Sequence, residues 1–204
     1  ALRELASSPL EPEQQLMLAG LWADAGEPDT ALALCAEAKA DPELVSEADL
    51  VEGYAHAAKG DHAARTTAWL RVRAAVLATP PPPWRMSADE VDSIARDALS
   101  ELPESARDKL AQVPIFLDDV PSEQMVRDGQ DPRSLGLFDG TPMPERGTLD
   151  ESAAPTAIHL FLLNLEQQCD DADDFAEQVR ITVLHETAHF FGLDEEDVDQ
   201  LGLA

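Results

Sequence analysis

Pro80 to Pro83 are four consecutive prolines, and no regular element can run through them. Each proline lacks the amide hydrogen and fixes φ at about −65°, so a helix or an interior strand must stop short of the run. The run is short and lies between two patterned segments, so it reads as a stiff extended spacer before it reads as a proline-rich ligand. It divides the chain into a helical segment, residues 1–79, a linker, residues 80–86, and a mixed segment, residues 87–204. Ahead of the spacer the chain is rich in Ala and Leu and poor in β-branched residues, a composition for helices only. Its breaks fall at Gly26-Glu27-Pro28-Asp29 and at Gly60-Asp61, both suited to helix–helix turns.

Those two glycines are 34 residues apart, the period of tetratricopeptide units. In the same register Ala19 corresponds to Gly53, Ala31 to Arg65 and Cys35 to Trp69, and Asp41-Pro42 closes the first unit. The segment resembles about two tetratricopeptide-type helical pairs, which implies a surface that docks a protein partner. Arg65 departs from the pattern, since a small residue is expected there. Two units are fewer than such arrays normally need, so further repeats upstream are expected. His56 and His62 fall in this segment and read as solvent-facing.

After the spacer the pattern becomes α+β. Ser87-Ala88-Asp89-Glu90 is a capping box for a helix to about Ser100, with Val91, Ile94, Ala95, Ala98 and Leu99 on one stripe. A second helix is expected from Glu104 to Ala111. Strands are expected at Val113 to Leu117, Leu135 to Phe138 and Thr156 to Leu163, with Pro- and Gly-rich surface loops filling Val120 to Pro155. A last long helix runs from about Asp173 to Phe191, with Asp173 or Asp174 as its N-cap.

That helix carries His185-Glu186-Thr187-Ala188-His189. Histidines at i and i+4 share one helical face, so both imidazoles can reach one metal ion. Glu186 is rotated away from His185 but close enough to take a proton from a water at that ion. Gly192 follows, where positive φ ends a helix in a sharp turn, and Asp194, Glu195 and Glu196 come directly after. Spacing favours Glu195 as the third metal ligand, with Asp194 as its rival. Two imidazoles, one carboxylate and an open fourth position suit zinc.

His185 through Glu195 resembles the extended zincin pattern, and residues from about 95 to 204 are similar to the minimal zincins, a bacterial metallopeptidase family of compact α+β fold. The resemblance rests also on Ala98-Leu99, Leu102-Pro103-Glu104, Leu135-Gly136-Leu137-Phe138, Pro144-Glu145-Arg146 and Asp199-Gln200-Leu201-Gly202. It implies a few-stranded sheet packed on the motif helix, a zinc ion in a shallow groove, and hydrolysis of a peptide or protein substrate. Two departures stand out. The third-ligand position holds glutamate where better-studied zincins have aspartate or histidine, and no methionine follows the motif, which excludes the metzincins with a Met-turn. A reading of another class keeps the zincin fold without proteolysis, as an interaction or regulatory protein.

The net charge of −27 opposes binding to nucleic-acid phosphates and anionic lipids, so neither nucleic acid nor membrane is an expected partner. No run of 18 apolar residues and no apolar leader is present, so neither a spanning helix nor secretion finds support. Cys35 and Cys169 match no zinc or redox spacing and fit a reducing, cytoplasmic setting. His159, on a strand face with Ala157 and Phe161, reads as half-buried rather than catalytic. The acidic run Asp170 to Asp174 lacks the glycine and distal glutamate of a calcium loop and reads as helix capping.

Overall fold

The computed structural model describes residues 10–143, 156–194 and 196–197. Two compact units divide the chain: Ala1–Thr79 with Pro121–Arg133, and Pro80–Val120 with Ser134–Ala204.

The first unit is all-α. Helices α1 (Pro12–Asp24), α2 (Pro28–Ala38), α3 (Val45–Ala58) and α4 (His62–Ala78) each pack on the next, and α1 also meets α3. The 34-residue register is visible in the backbone. Gly26 and Gly60 take φ of 78° and 72°. At the first turn Glu27 N–H donates to Trp22 O at 2.9 Å, and at the second Asp61 N–H donates to His56 O at the same distance. These bonds close α1 and α3 in the same way, with glycine supplying the left-handed residue. Ala19, Ala31 and Cys35 are buried in one core with Leu16, Trp22 and Val51. Gly53 is what lets α4 lie close to α3: a Cβ there would overlap the indole of Trp69, whose Nε1 donates to Leu50 O at 3.3 Å.

Pro121–Arg133 belongs to this unit, although the sequence around it reads as surface loop. It forms a short helix, α7 (Glu123–Asp128), capped by Ser122 and ended by Gly129 at φ 114°. Its one fully buried residue, Val126, joins Leu50, Trp69 and Val72 in a second small core. Arg65, the residue out of place in the repeat pattern, explains itself here. Its guanidinium lies over the Trp69 ring at 5.2 Å and its Nη2 donates to Arg127 O at 2.9 Å, in the last turn of α7. A cation is favourable at that end of a helix, and a small residue could not reach it. Arg73 Nε adds a bond to Pro121 O at 2.7 Å. The expectation that His56 faces solvent fails: it is half-buried beside Glu52, while His62 is exposed.

Three of these helices meet at one buried carboxylate. Asp49 on α3 is 4% exposed and pairs with Lys39 Nζ at 2.6 Å and Arg71 Nη2 at 2.7 Å. Burial acts to raise its pKa, but the bonds from Arg71 and Lys39 outweigh it and hold the carboxyl below its ordinary value. A depressed folded pKa contributes stability above the unfolded value of about 3.9, and that contribution is lost as pH falls through the folded value. Asp49→Asn is expected to cost about 2 kcal/mol at pH 7, toward the low end for a buried pair because both cations are partly exposed. Urea unfolding of both proteins at pH 7 and at steps down to about pH 2 checks it; a gap that does not shrink toward the acid end would refute the ionic account.

The second unit is α+β. It holds α5 (Ala88–Ser100), α6 (Glu104–Leu110), strands β1 (Ile115–Asp118), β2 (Gly136–Asp139) and β3 (Ala157–Phe161), then α8 (Leu162–Glu166) and α9 (Ala172–Phe190). β3 is the central strand, parallel to β1 and antiparallel to β2. Ile158 and Leu160 point from β3 into a core built with Phe175, Val179 and Val183 of α9 and Val91, Ala95 and Ala98 of α5. The Ser87–Glu90 capping box forms as expected. Strands β1 and β2 are shifted by one or two residues from expectation, and two other boundaries differ for a visible reason. The third strand stops at Phe161, because Leu163 N–H turns to Asp119 O and Asn164 Nδ2 to Ser134 O, bonds that a continued strand would not make. The last helix is capped by Asp171, whose carboxylate accepts from Asp173 and Asp174 N–H. In a run of four carboxylates the sequence offers several equivalent caps, and the one preceding the first helical turn wins.

Among the described residues no helix is long and apolar enough to cross a membrane. Cys35 is buried in the helical core, and burial followed by the nearby Glu52 pushes its thiol up to about 11, so it is not thiolate at neutral pH. Burial and then Asp174 do the same to Cys169, also to about 11.

Candidate metal centre

α9 buries a stripe of Phe175, Val179, Val183, Thr187 and Phe190, and this stripe fixes the helix rotation against the sheet. Phe190 is 1% exposed and meets Phe138 of β2 edge-on at 6.0 Å. With that rotation set, His185 and His189 fall on the margin of the buried face and are half-buried, while Glu186 is drawn inward and is 7% exposed.

The two imidazoles converge. His185 Nε2 and His189 Nε2 are 3.0 Å apart, with ring centroids 4.7 Å apart and planes at 77°. Two nitrogens on one tetrahedral zinc, each at about 2.0–2.1 Å, sit about 3.3 Å from each other, so the pair is spaced to within a few tenths of an ångström for a shared ion.

The turn after the helix orients one of them. Gly192 has φ 85°. Its N–H donates to His189 O at 2.9 Å and Leu193 N–H donates to Ala188 O at 3.1 Å, the paired bonds of a Schellman ending. That turn brings Leu193 O within 3.0 Å of His189 Nδ1. A carbonyl only accepts, so Nδ1 carries a proton, and of the two neutral tautomers this bond selects the one with its lone pair at Nε2. Backbone carbonyls commonly hold metal-ligating histidines in this way.

Glu186 is walled in by β2. Gly136, the first residue of that strand, faces α9, and a Cβ there would come within 2.7 Å of Glu186 Oε1 and 2.8 Å of Thr182 Cγ2.

The acidic residues after the turn divide. Asp194 is exposed, and its Oδ1 accepts from Asp197 N–H at 3.0 Å, which commits that oxygen to the following turn. Glu195 lies outside the described residues, as does Arg146. Among the described residues no group of three or more His, Cys, Asp and Glu side chains is placed to hold a metal. The structure brings the two histidines together, buries Glu186 on the next position of the same helix, and shows no third ligand among the described residues.

His159 belongs elsewhere. Alternation along β3 turns it to the face opposite Ile158 and Leu160, away from α9. There its Nδ1 meets Asp118 Oδ2 at 2.7 Å and its ring lies between Phe116 and Phe161.

Sequence reasoning missed two contributors to the centre: the Leu193 carbonyl and Gly136. The first follows from Gly192, once its positive φ is taken to turn the chain back on the helix. The second had no local signal, since Gly136 and Glu186 are far apart in sequence.

Residues 110–203 match the family model of the zincin-like metallopeptidases. No curated protein matches the chain.

Proposed function

We propose that the zincin-like C-terminal part hydrolyses peptide bonds with a zinc ion held by His185, His189 and Glu195 and with Glu186 as general base. The observation that carries this reading is the convergence of two imidazole nitrogens, one with its tautomer set by a backbone carbonyl, beside a buried glutamate. The donor set fits the ion: two neutral nitrogens on one helical turn, with carboxylates following a sharp turn. Zinc, when bound, supplies a Lewis acid that polarises the scissile carbonyl and makes water acidic near neutral pH. The chain does the rest. Glu186 accepts the proton of the attacking water and returns it to the leaving amine. Leu193 O keeps the His189 ring from rotating. The backbone of β2 at Gly136 packs directly against the Glu186 side chain and limits where it can lie.

Elemental analysis tests the metal directly. About one zinc per chain is expected in the wild type, and loss of it in His185→Ala and in His189→Ala. Wild type that takes up no zinc after reconstitution would end this reading.

The helical unit is the proposed docking element. Between α1 and α3 lies a groove of about 560 Å³, lined by the buried Leu16 and Val51, the 73% exposed Met17, and the acidic Glu13, Asp24 and Glu47. A lining that is both apolar and acidic suits a peptide with a cationic residue beside an apolar one. Anisotropy of a labelled peptide of that kind should show binding that Met17→Asp weakens; equal binding by both proteins would remove the groove from the proposal. This same surface favours the second reading, a partner-binding protein with a zincin fold and no proteolysis. A stable partner left uncleaved by zinc-loaded protein would favour it.

A further inference from the structure

Gly136 is not a glycine for reasons of backbone conformation. It lies in a strand, paired with Leu160, and is not among the described glycines with positive φ. Its lack of a side chain has a different use. A Cβ would fall 2.7 Å from Glu186 Oε1 and 2.9 Å from Glu186 Cγ, distances that real Cβ contacts essentially never show. Glu186 Cγ lies near the root of the side chain, so a small swing of the carboxylate cannot relieve the overlap, and the whole side chain would have to leave its rotamer. Thr182 Cγ2 stands 2.8 Å away on the same helix, and a β-branched side chain on a helix has little freedom to yield. The helix cannot easily back away either, since Val179 and Val183 are fully buried on either side of Thr182.

We propose that Gly136 is a positioning residue for Glu186: the missing side chain on β2 is the space that holds the base beside the histidine pair. This inference rests on the hydrolytic reading for its effect on rate, but the contact itself can be tested without activity. Gly136→Ala is expected to bind zinc at wild-type stoichiometry and to lower the melting temperature by roughly 3–10 °C. Turnover of an internally quenched peptide library should fall about 100-fold with KM little changed, the cost of a base displaced by about an ångström.

The decisive comparison places Gly136→Ala in a Glu186→Ala background, where one of the two obstructing side chains is gone and only Thr182 Cγ2 remains close. The share of the loss in melting temperature that comes from Glu186 should disappear there, leaving a clearly smaller loss from Thr182, and a Gly136→Ala protein too unstable to purify should fold again in the double variant. An equal loss in both backgrounds would overturn the proposal, as would an unchanged turnover number in zinc-loaded Gly136→Ala. Wild type without peptidase activity would sink the hydrolytic reading instead and leave the stability comparison to decide the positioning of Glu186.

Discussion

Zinc-loaded Glu186→Gln is expected to cleave peptides 10²–10⁴-fold more slowly than wild type, the usual contribution of a general base in place. Gln keeps the size and the neutral hydrogen-bonding capacity of the side chain but cannot take a proton at working pH. It occupies the same slot against Gly136, so neither folding nor zinc content should change. That separation makes the substitution informative. A loss of activity with full metal assigns the proton transfer to Glu186, whereas full activity would show that the hydrolysis, if any, runs through another group. The result should appear in kcat, since the side chain is buried and offers little surface to a bound substrate.

The largest effect on stability is expected in the other unit, at Gly53. Replacing glycine by alanine inside a helix ordinarily helps by about 1 kcal/mol. Here the added methyl would overlap the five-membered ring of Trp69, and the indole would have to move. Moving it breaks the bond to Leu50 O and disturbs the stacking of Arg65, with the burial of Val72 and Val126 around it. A net loss of about 3 kcal/mol is expected for Gly53→Ala, or roughly 6–12 °C in melting temperature for a chain of this size. Trp69→Leu should make the alanine tolerable, so that the double variant is no less stable than Trp69→Leu alone. Additive losses would mean that the cost of the alanine does not come from its overlap with the Trp69 indole.

Much of this was legible because it depends on short-range spacing. The i, i+4 histidines meet on one turn of any helix, and the breaks at Gly26 and Gly60 recur at one period, so both could be read along the chain. Gly192 announced the Schellman turn for the same reason. The α7 segment could not be read in this way. Its Ser122–Met125 cap lacks the usual acidic partner, it buries one residue fully, and Pro and Gly surround it. Its only trace was Arg65, a cation in a place meant for a small side chain, which looked like decay of the repeat and is instead an attachment. Gly136 was invisible for a related reason. A glycine that makes room for a distant side chain has the same local sequence as one that merely weakens a strand.

The order in which the chain is made runs against the order in which the helical unit can be completed. Val126 and the α7 carbonyl bound by Arg65 are supplied by residues that come after β1 of the other unit. On a ribosome, α1 to α4 therefore emerge with the side of α4 around Trp69 and Val72 still open, and wait while the proline run, α5, α6 and β1 are synthesised. Domains usually fold as they appear, first in sequence first in time. In this chain the first unit closes only once the leading third of the second, Pro80–Val120, has left the tunnel.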